Sequence, residues 1–334
     1  MNQNSQFINA CANGDLEVAK SYTNPYCVNV SRNNYAFSCA CANGQLKVAK
    51  WLVETSSVNV TSNDNYAFSH ACSNGHLEVA KWLVETNPSI LQINIYIIFM
   101  FTCQNGHLEV AKWLVVSYPY ILNLDINTVF KFTCKNGHLE VAKWLIQINP
   151  SNINISDCDN YAFIYACVNG HLEVAKWLVE SHSSAINISA QNDSAFRSAC
   201  KYDHLEVAKW LLQIHPSAEN LLGKTNNAFL DACGHGSLKV AKWLVDINRS
   251  HTNIYNYNSG FRLACLNGHI EVAEWLLHIH PSAEDLPTCT DQAFIDACWN
   301  NYVKVAKWLV QIQPNNYILE LNPPNTKIES WRIK

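Results

Sequence analysis

Cys72-Ser73-Asn74-Gly75-His76-Leu77-Glu78-Val79-Ala80-Lys81-Trp82-Leu83 is the stretch on which the fold turns. Close variants of it recur along the whole chain. The leading cysteine falls at Cys11, Cys41, Cys72, Cys103, Cys134, Cys167, Cys200, Cys233, Cys265 and Cys298, at spacings of 30 to 33 residues. A phenylalanine stands four residues before every one, from Phe7 to Phe294. A fixed period of this size marks an array in which each copy is one supersecondary unit.

Within one copy the local signals agree. Phe68, Ala71 and Cys72 stand at i, i+3 and i+4, one stripe of a first helix. Asp64 and Asn65 are candidate N-caps for it. Asn74-Gly75 ends it, because glycine takes the left-handed C′ conformation without a Cβ clash. Two copies lack the glycine, and there Asp203 and Asn301 replace it. Asp and Asn are the residues that best tolerate that geometry. Leu77 to Glu85 reads as a second helix, with Leu77, Ala80, Leu83 and Val84 on one face and Glu78 and Lys81 as an exposed i, i+3 pair. Pro88, Pro150, Pro216, Pro281 and Pro314 stop further helix. A lone pair of helices exposes too much apolar surface. Phe68, Leu77, Val79, Trp82 and Leu83 would each add roughly 1.5–3 kcal/mol if fully buried, and stacking on the next unit is what buries them. With helix layers about 8–10 Å apart, ten units predict a rod or arc roughly 90 Å long.

At these residues the chain resembles the ankyrin repeat proteins, whose Ala-Ala-x-x-Gly-His-Leu-Glu-Val-Val-x-Leu-Leu pattern matches Ala71 to Leu83. The resemblance covers roughly Ser5 to Gln313. It implies an all-α, elongated helical solenoid of ten helix-turn-helix repeats over 5–313, with residues 314–334 as a tail. It also implies binding of a partner protein on the concave side formed by the first helices and the fingers. Two departures matter. Tyr66-Ala67-Phe68-Ser69 replaces the family's Thr-Pro-Leu-His opening. Connectors such as Asn149 to Ile155 replace the Gly-Ala-Asp-Val-Asn segment, so the β-hairpin fingers are expected to be reduced or irregular.

Composition sets the remaining bounds. The chain has 334 residues, is 49% hydrophobic and 15% charged, and carries a net charge of −4. It lacks any run of five like charges, so nothing predicts a nucleic-acid footprint. Ile90 to Phe101 is the most apolar stretch, about a dozen residues where a spanning helix needs about 20. The polar start, Met1 to Gln6, is unlike a signal peptide. Ten of the fourteen cysteines share one repeat position, which reads as packing in a reducing, intracellular compartment, cytoplasm or nucleus.

Three ladders invite sharper readings. Cys and His four apart, as in Cys72 and His76, suggest a metal column, but each layer offers two ligands where zinc needs four. A buried thiol and a turn histidine bonded to backbone are expected instead. The nine tryptophans from Trp51 to Trp308 could stack bases, but they occupy an apolar position of the second helix and are expected in the core. The lysine ladder from Lys50 to Lys242 runs beside Glu78, Glu109, Glu140, Glu173 and Glu206, which cancel its field. Neither a phosphate loop, a nucleophile elbow nor a His-Glu-x-x-His helix is present, so no catalytic role and no cofactor is expected.

Positions that vary between copies are free to contact something else. Just after the repeat cysteine stand Gln104, Lys135 and Trp299, among others. Two before it stand Phe101, Phe132 and Tyr165 in consecutive copies. Phe101, Gln104, Phe132, Lys135, Tyr165 and Trp299 are therefore the candidate partner-binding residues of a monomeric interaction scaffold. The competing expectation is a structural spacer without a partner groove, in which the aromatics fill space left by short connectors. The last copy keeps an apolar second helix, and Tyr317 to Leu321 and Lys327 to Trp331 read as two short strands around Pro323-Pro324, a cap for that end.

Overall fold

The computed structural model describes residues 3–22, 30–88, 94–214, 221–247, 254–279, 286–322 and 327–333. Pro216 and Pro281 lie outside them. The described residues form two compact units, 1–154 and 155–334.

The first unit holds five helix pairs. These are α1 (Gln3–Asn13) and α2 (Leu16–Ser21), α3 (Val30–Ala42) and α4 (Leu46–Thr55), α5 (Ser62–Ser73) and α6 (Leu77–Thr86), α7 (Ile95–Gln104) and α8 (Leu108–Ser117), and α9 (Ile126–Lys135) and α10 (Leu139–Ile148). The second unit holds α11 (Asp157–Val168) and α12 (Leu172–Ser181), α13 (Ala190–Lys201) and α14 (Leu205–Ile214), α15 (Leu221–His235) and α16 (Leu238–Ile247), α17 (Ile254–Leu266) and α18 (Ile270–Ile279), α19 (Leu286–Trp299) and α20 (Val303–Ile312), then the strands β1 (Tyr317–Leu321) and β2 (Ile328–Ile333). In each unit every first helix packs on the next first helix and on its own partner. That is helix-turn-helix stacking, an ankyrin-type solenoid layer by layer. The described connectors contain 3-10 turns at Pro119–Asn123 and Pro150–Asn152 rather than β-hairpin fingers.

The core follows the repeat. Phe7, Phe37, Phe68, Phe99, Phe130, Phe163 and Phe294 are wholly buried, as are most of the repeat cysteines and alanines. On the second helices the buried set is Val79, Ala80 and Leu83 and their equivalents. Leu77, Trp82 and Val84 are half-buried, which corrects the expected face. The tryptophans are not core fillers. Four of them meet the phenylalanine of the preceding copy, Trp82 with Phe37 at 6.3 Å, Trp113 with Phe68 at 6.4 Å, Trp144 with Phe99 at 6.3 Å and Trp308 with Phe261 at 6.3 Å. Edge-to-face contact at this range is favourable beyond the area it buries.

The turn closes as the composition demands. Gly75 has φ +84, and the two substitutes, Asp203 and Asn301, have φ +62 and +56. The expected N-caps are corrected. α5 starts before them, after Thr61, and Asn65 itself is left-handed at φ +63. In α11 the same region, Cys158, Asp159 and Asn160, runs left-handed before the regular helix begins at Tyr161.

β1 and β2 pair antiparallel, with Tyr317 opposite Ile333. Tyr317 is buried and stacks on Phe294 at 4.3 Å, while Trp331 meets the same ring edge-on at 6.0 Å. Phe294 belongs to the last copy and has no following tryptophan. The hairpin supplies the missing aromatic cover.

Candidate protein-interaction surface

The joints between copies are built on one main-chain atom. Asn74, Asn105 and Asn136, the asparagines of Asn-Gly, donate Nδ2 to the carbonyls of Ala42, Ser73 and Gln104 at 2.7, 2.7 and 2.8 Å. Each acceptor is the residue just after the preceding copy's cysteine. His107, His138 and His269 hydrogen-bond the main chain of Ser73, Gln104 and Gly234, the same register. Each histidine ring also lies on the preceding turn glycine. A Cβ at Gly75 would sit 2.5 Å from His107 Nδ1, and one at Gly106 would sit 2.4 Å from His138 Nδ1. Burial pushes the pKa values of His107, His138 and His269 below the ordinary imidazole value. Each also sits at the head of a helix, whose dipole disfavours the imidazolium. These are neutral structural histidines.

A second staple escaped the sequence reading. Three residues before the repeat phenylalanine, Asn34, Asn127 and Asn160 accept from the main-chain N–H of Asn59, Asn154 and Asn187 at 2.8, 3.0 and 3.1 Å. Each thereby ties its own unit's outgoing connector. At that register Tyr96 instead donates to the Asp125 carbonyl at 3.0 Å, and Asp291 accepts from Tyr317. The signal was present, since nine of the ten copies carry Asn or Asp there.

The repeat cysteines are buried free thiols whose pKa values burial pushes up, Cys11 and Cys298 to about 12. Such thiols are poor nucleophiles and poor metal ligands. Among the described residues no three His, Cys, Asp or Glu side chains are grouped as metal ligands would be. Lys81, Lys112, Lys143, Lys176 and Lys209 pair with the glutamates three residues before them on an exposed face. No helix of the described residues is long and apolar enough to cross a membrane.

The six variable-position residues are distributed over both units. In the first, Phe101 is 46% exposed, Gln104 is half-buried, and Phe132 is half-buried with Lys135 Nζ 5.7 Å above its ring. In the second, Tyr165 stacks on Tyr161 at 4.1 Å. Trp299 is 77% exposed and meets Trp331 edge-on at 6.3 Å. One helical turn before Cys39, His70 and Phe101 stand Tyr35, Tyr66 and Ile97, all exposed, and Tyr66 stacks on His70 at 3.9 Å. These belong to the same side of the first helices and were legible as i, i+4 partners of the variable position. In the second unit the first helices carry polar residues beside Leu230, Leu263 and Trp299, namely Ser194, Arg197, Ser198, Lys201, Asp231, Arg262 and Asp296.

No curated protein sequence matches the chain. Among solved structures, the human ASB11 ankyrin repeat domain is similar over 57% of this chain and 95% of its own, at 17% identity and a TM-score of 0.38. A family model described as ankyrin repeats (3 copies) matches residues 7–97, 99–192, 130–221 and 229–318. Those matches span most of the chain and coincide with the helix pairs, turn glycines and buried cysteines described above, so the chain belongs to the ankyrin repeat family.

Proposed function

We propose that this chain is a non-catalytic interaction scaffold that binds a partner protein on the concave side lined by its first helices. Ankyrin repeats are generally protein–protein interaction modules. The observation that carries the reading is the exposure of Phe101, with Tyr35, Tyr66 and Ile97 beside it, at positions that the stacking does not use. A spacer has no reason to keep large apolar side chains in water there, and aromatic residues of this kind anchor interfaces. Phe101, Gln104, Phe132, Lys135, Tyr165 and Trp299 are the proposed contact residues, and the protein acts as a monomer. Unpaired buried thiols at every repeat support work in a reducing intracellular compartment.

The test is proximity crosslinking and co-purification with full-length protein against the Phe101→Ala, Phe132→Ala, Tyr165→Ala triple variant. The variant is expected to keep its helical circular dichroism and lose at least tenfold in partner recovery. Equal recovery by both proteins contradicts the reading.

A further inference from the structure

On α13, Gln191, Ser194, Arg197, Ser198 and Lys201 line an open cavity of about 170 Å³ that Asp231 of α15 borders. Sites for drug-sized molecules are about 300–1,000 Å³. This one admits a single side-chain tip. Arg197 donates from Nε at 3.2 Å and from Nη2 at 3.0 Å to the same oxygen, Asp231 Oδ2. One edge of the guanidinium is thereby fixed, and Nη1 is left for another acceptor.

The arrangement repeats with a period of two units. Arg262 of α17 donates from Nε to Asp296 Oδ2 of α19 at 2.9 Å, and Gln292 holds the other Asp296 oxygen at 3.1 Å. At the joint between these two, the same register holds Leu230 and Leu263, both half-buried. The sequence of joints is Arg–Asp, Leu–Leu, Arg–Asp. In both pairs the carboxylate is the more buried partner, at 30% exposure for Asp231 and 14% for Asp296, while Arg197 and Arg262 stay 41% and 51% exposed, so two arginines are held open to solvent at matching places on one face.

We propose that α13, α15, α17 and α19 form a groove for an extended acidic peptide. Two of its carboxylates sit on Arg197 and Arg262, and an apolar residue between them lies over Leu230 and Leu263. This deepens the reading that the first-helix side binds a partner, and it rests on that reading. Adjacent helices lie about 8–10 Å apart, and an extended chain advances about 3.3 Å per residue. The two carboxylates are therefore five or six residues apart. The match is to carboxylate rather than phosphate. Arg197, Lys201 and Arg262 face Asp231 and Asp296, three cations against two anions, which favours singly charged groups and opposes phosphates of charge near −2.

A phage-displayed library of random twelve-residue peptides, panned on the full chain, tests this. Selected peptides are expected to be enriched in Asp or Glu pairs five or six positions apart with an apolar residue between. Selection on the Arg197→Leu, Arg262→Leu double variant should lose that enrichment. A selected peptide, made synthetically, should bind at least tenfold more weakly to either single variant and when its acids become glutamines. Arg197→Lys, which keeps charge without the fork, should also weaken it. Peptides without acidic pairs, unchanged affinity for folded variants, or tighter binding after phosphoserine replaces the acids would overturn the proposal. Retained partner recovery by the double variant, with loss in the Phe101, Phe132, Tyr165 variant, would overturn this groove and leave the scaffold reading standing.

Discussion

Gly75 and Gly106 carry two requirements at once, a left-handed φ and the bare surface on which the next copy's histidine lies. Gly268 carries chiefly the first, because Tyr302 stands 3.5 Å from its would-be Cβ, an ordinary contact. Gly106→Ala is therefore expected to cost about 2–4 kcal/mol and Gly268→Ala about 1 kcal/mol, read from urea midpoints. Asp203 shows the same logic inverted. Its copy lacks the glycine, and the next copy carries Ser237 where most others carry histidine. The Asp203 carboxylate accepts from Val240 N–H at 3.2 Å, at the head of α16, and Ser237 Oγ donates to the Lys201 carbonyl at 2.7 Å. Ser237→His alone should lower stability by about 1–3 kcal/mol, and adding Asp203→Gly should restore most of it. A non-additive cycle is the expected reading; independent effects would contradict the pairing. The left-handed turn was legible at Asp203 and Asn301 because it depends on one residue's backbone. The partnership of Asp203 with Ser237 was not, because it joins residues one repeat apart and shows only once the helices are stacked.

At the scale of elements, the hairpin of β1 and β2 stands in for a further repeat. Tyr317 stacks on Phe294 and its hydroxyl hydrogen-bonds with Asp291 and Gln313, both at 2.8 Å. Asn301, the residue in the glycine place, accepts from Ile328 N–H at 2.8 Å. Tyr317→Ala should cost about 3–5 kcal/mol, the range for removing a buried aromatic ring. It should loosen α19 and α20 first, which hydrogen exchange would register as lost protection in those helices. Unchanged protection there would mean that the hairpin merely lies against the end. The strands and helices themselves were legible, since period and proline placement are local. The exposure of the tryptophans was not. A repeated large apolar residue reads as core, yet the second-helix tryptophans are half-buried, and Trp82, Trp113, Trp144 and Trp308 reach back to the preceding phenylalanine.

For the molecule as a whole, the repeated environments add up in pH. His70, His107, His138, His182 and His269 are held below their ordinary value by burial. The unfolded chain then binds more protons, and stability present above about pH 6.5 is lost as the pH falls. The repeat thiols are raised from 9.0, Cys298 to about 12. Unfolded thiols ionise first, so stability present below about pH 9 is lost as the pH rises. Urea midpoints are expected to be flat between about pH 7 and 8.5 and to fall on both sides. A midpoint that climbs below pH 6 would contradict the histidine environments. The joints also bear on how such a chain can change over time. Asparagine, histidine and serine grip the peptide oxygen at Ala42, Ser73, Gln104, Lys201 and Gly234, whatever side chain each residue displays. Evolution can thus rewrite the outward letter at those sites without loosening the masonry beneath.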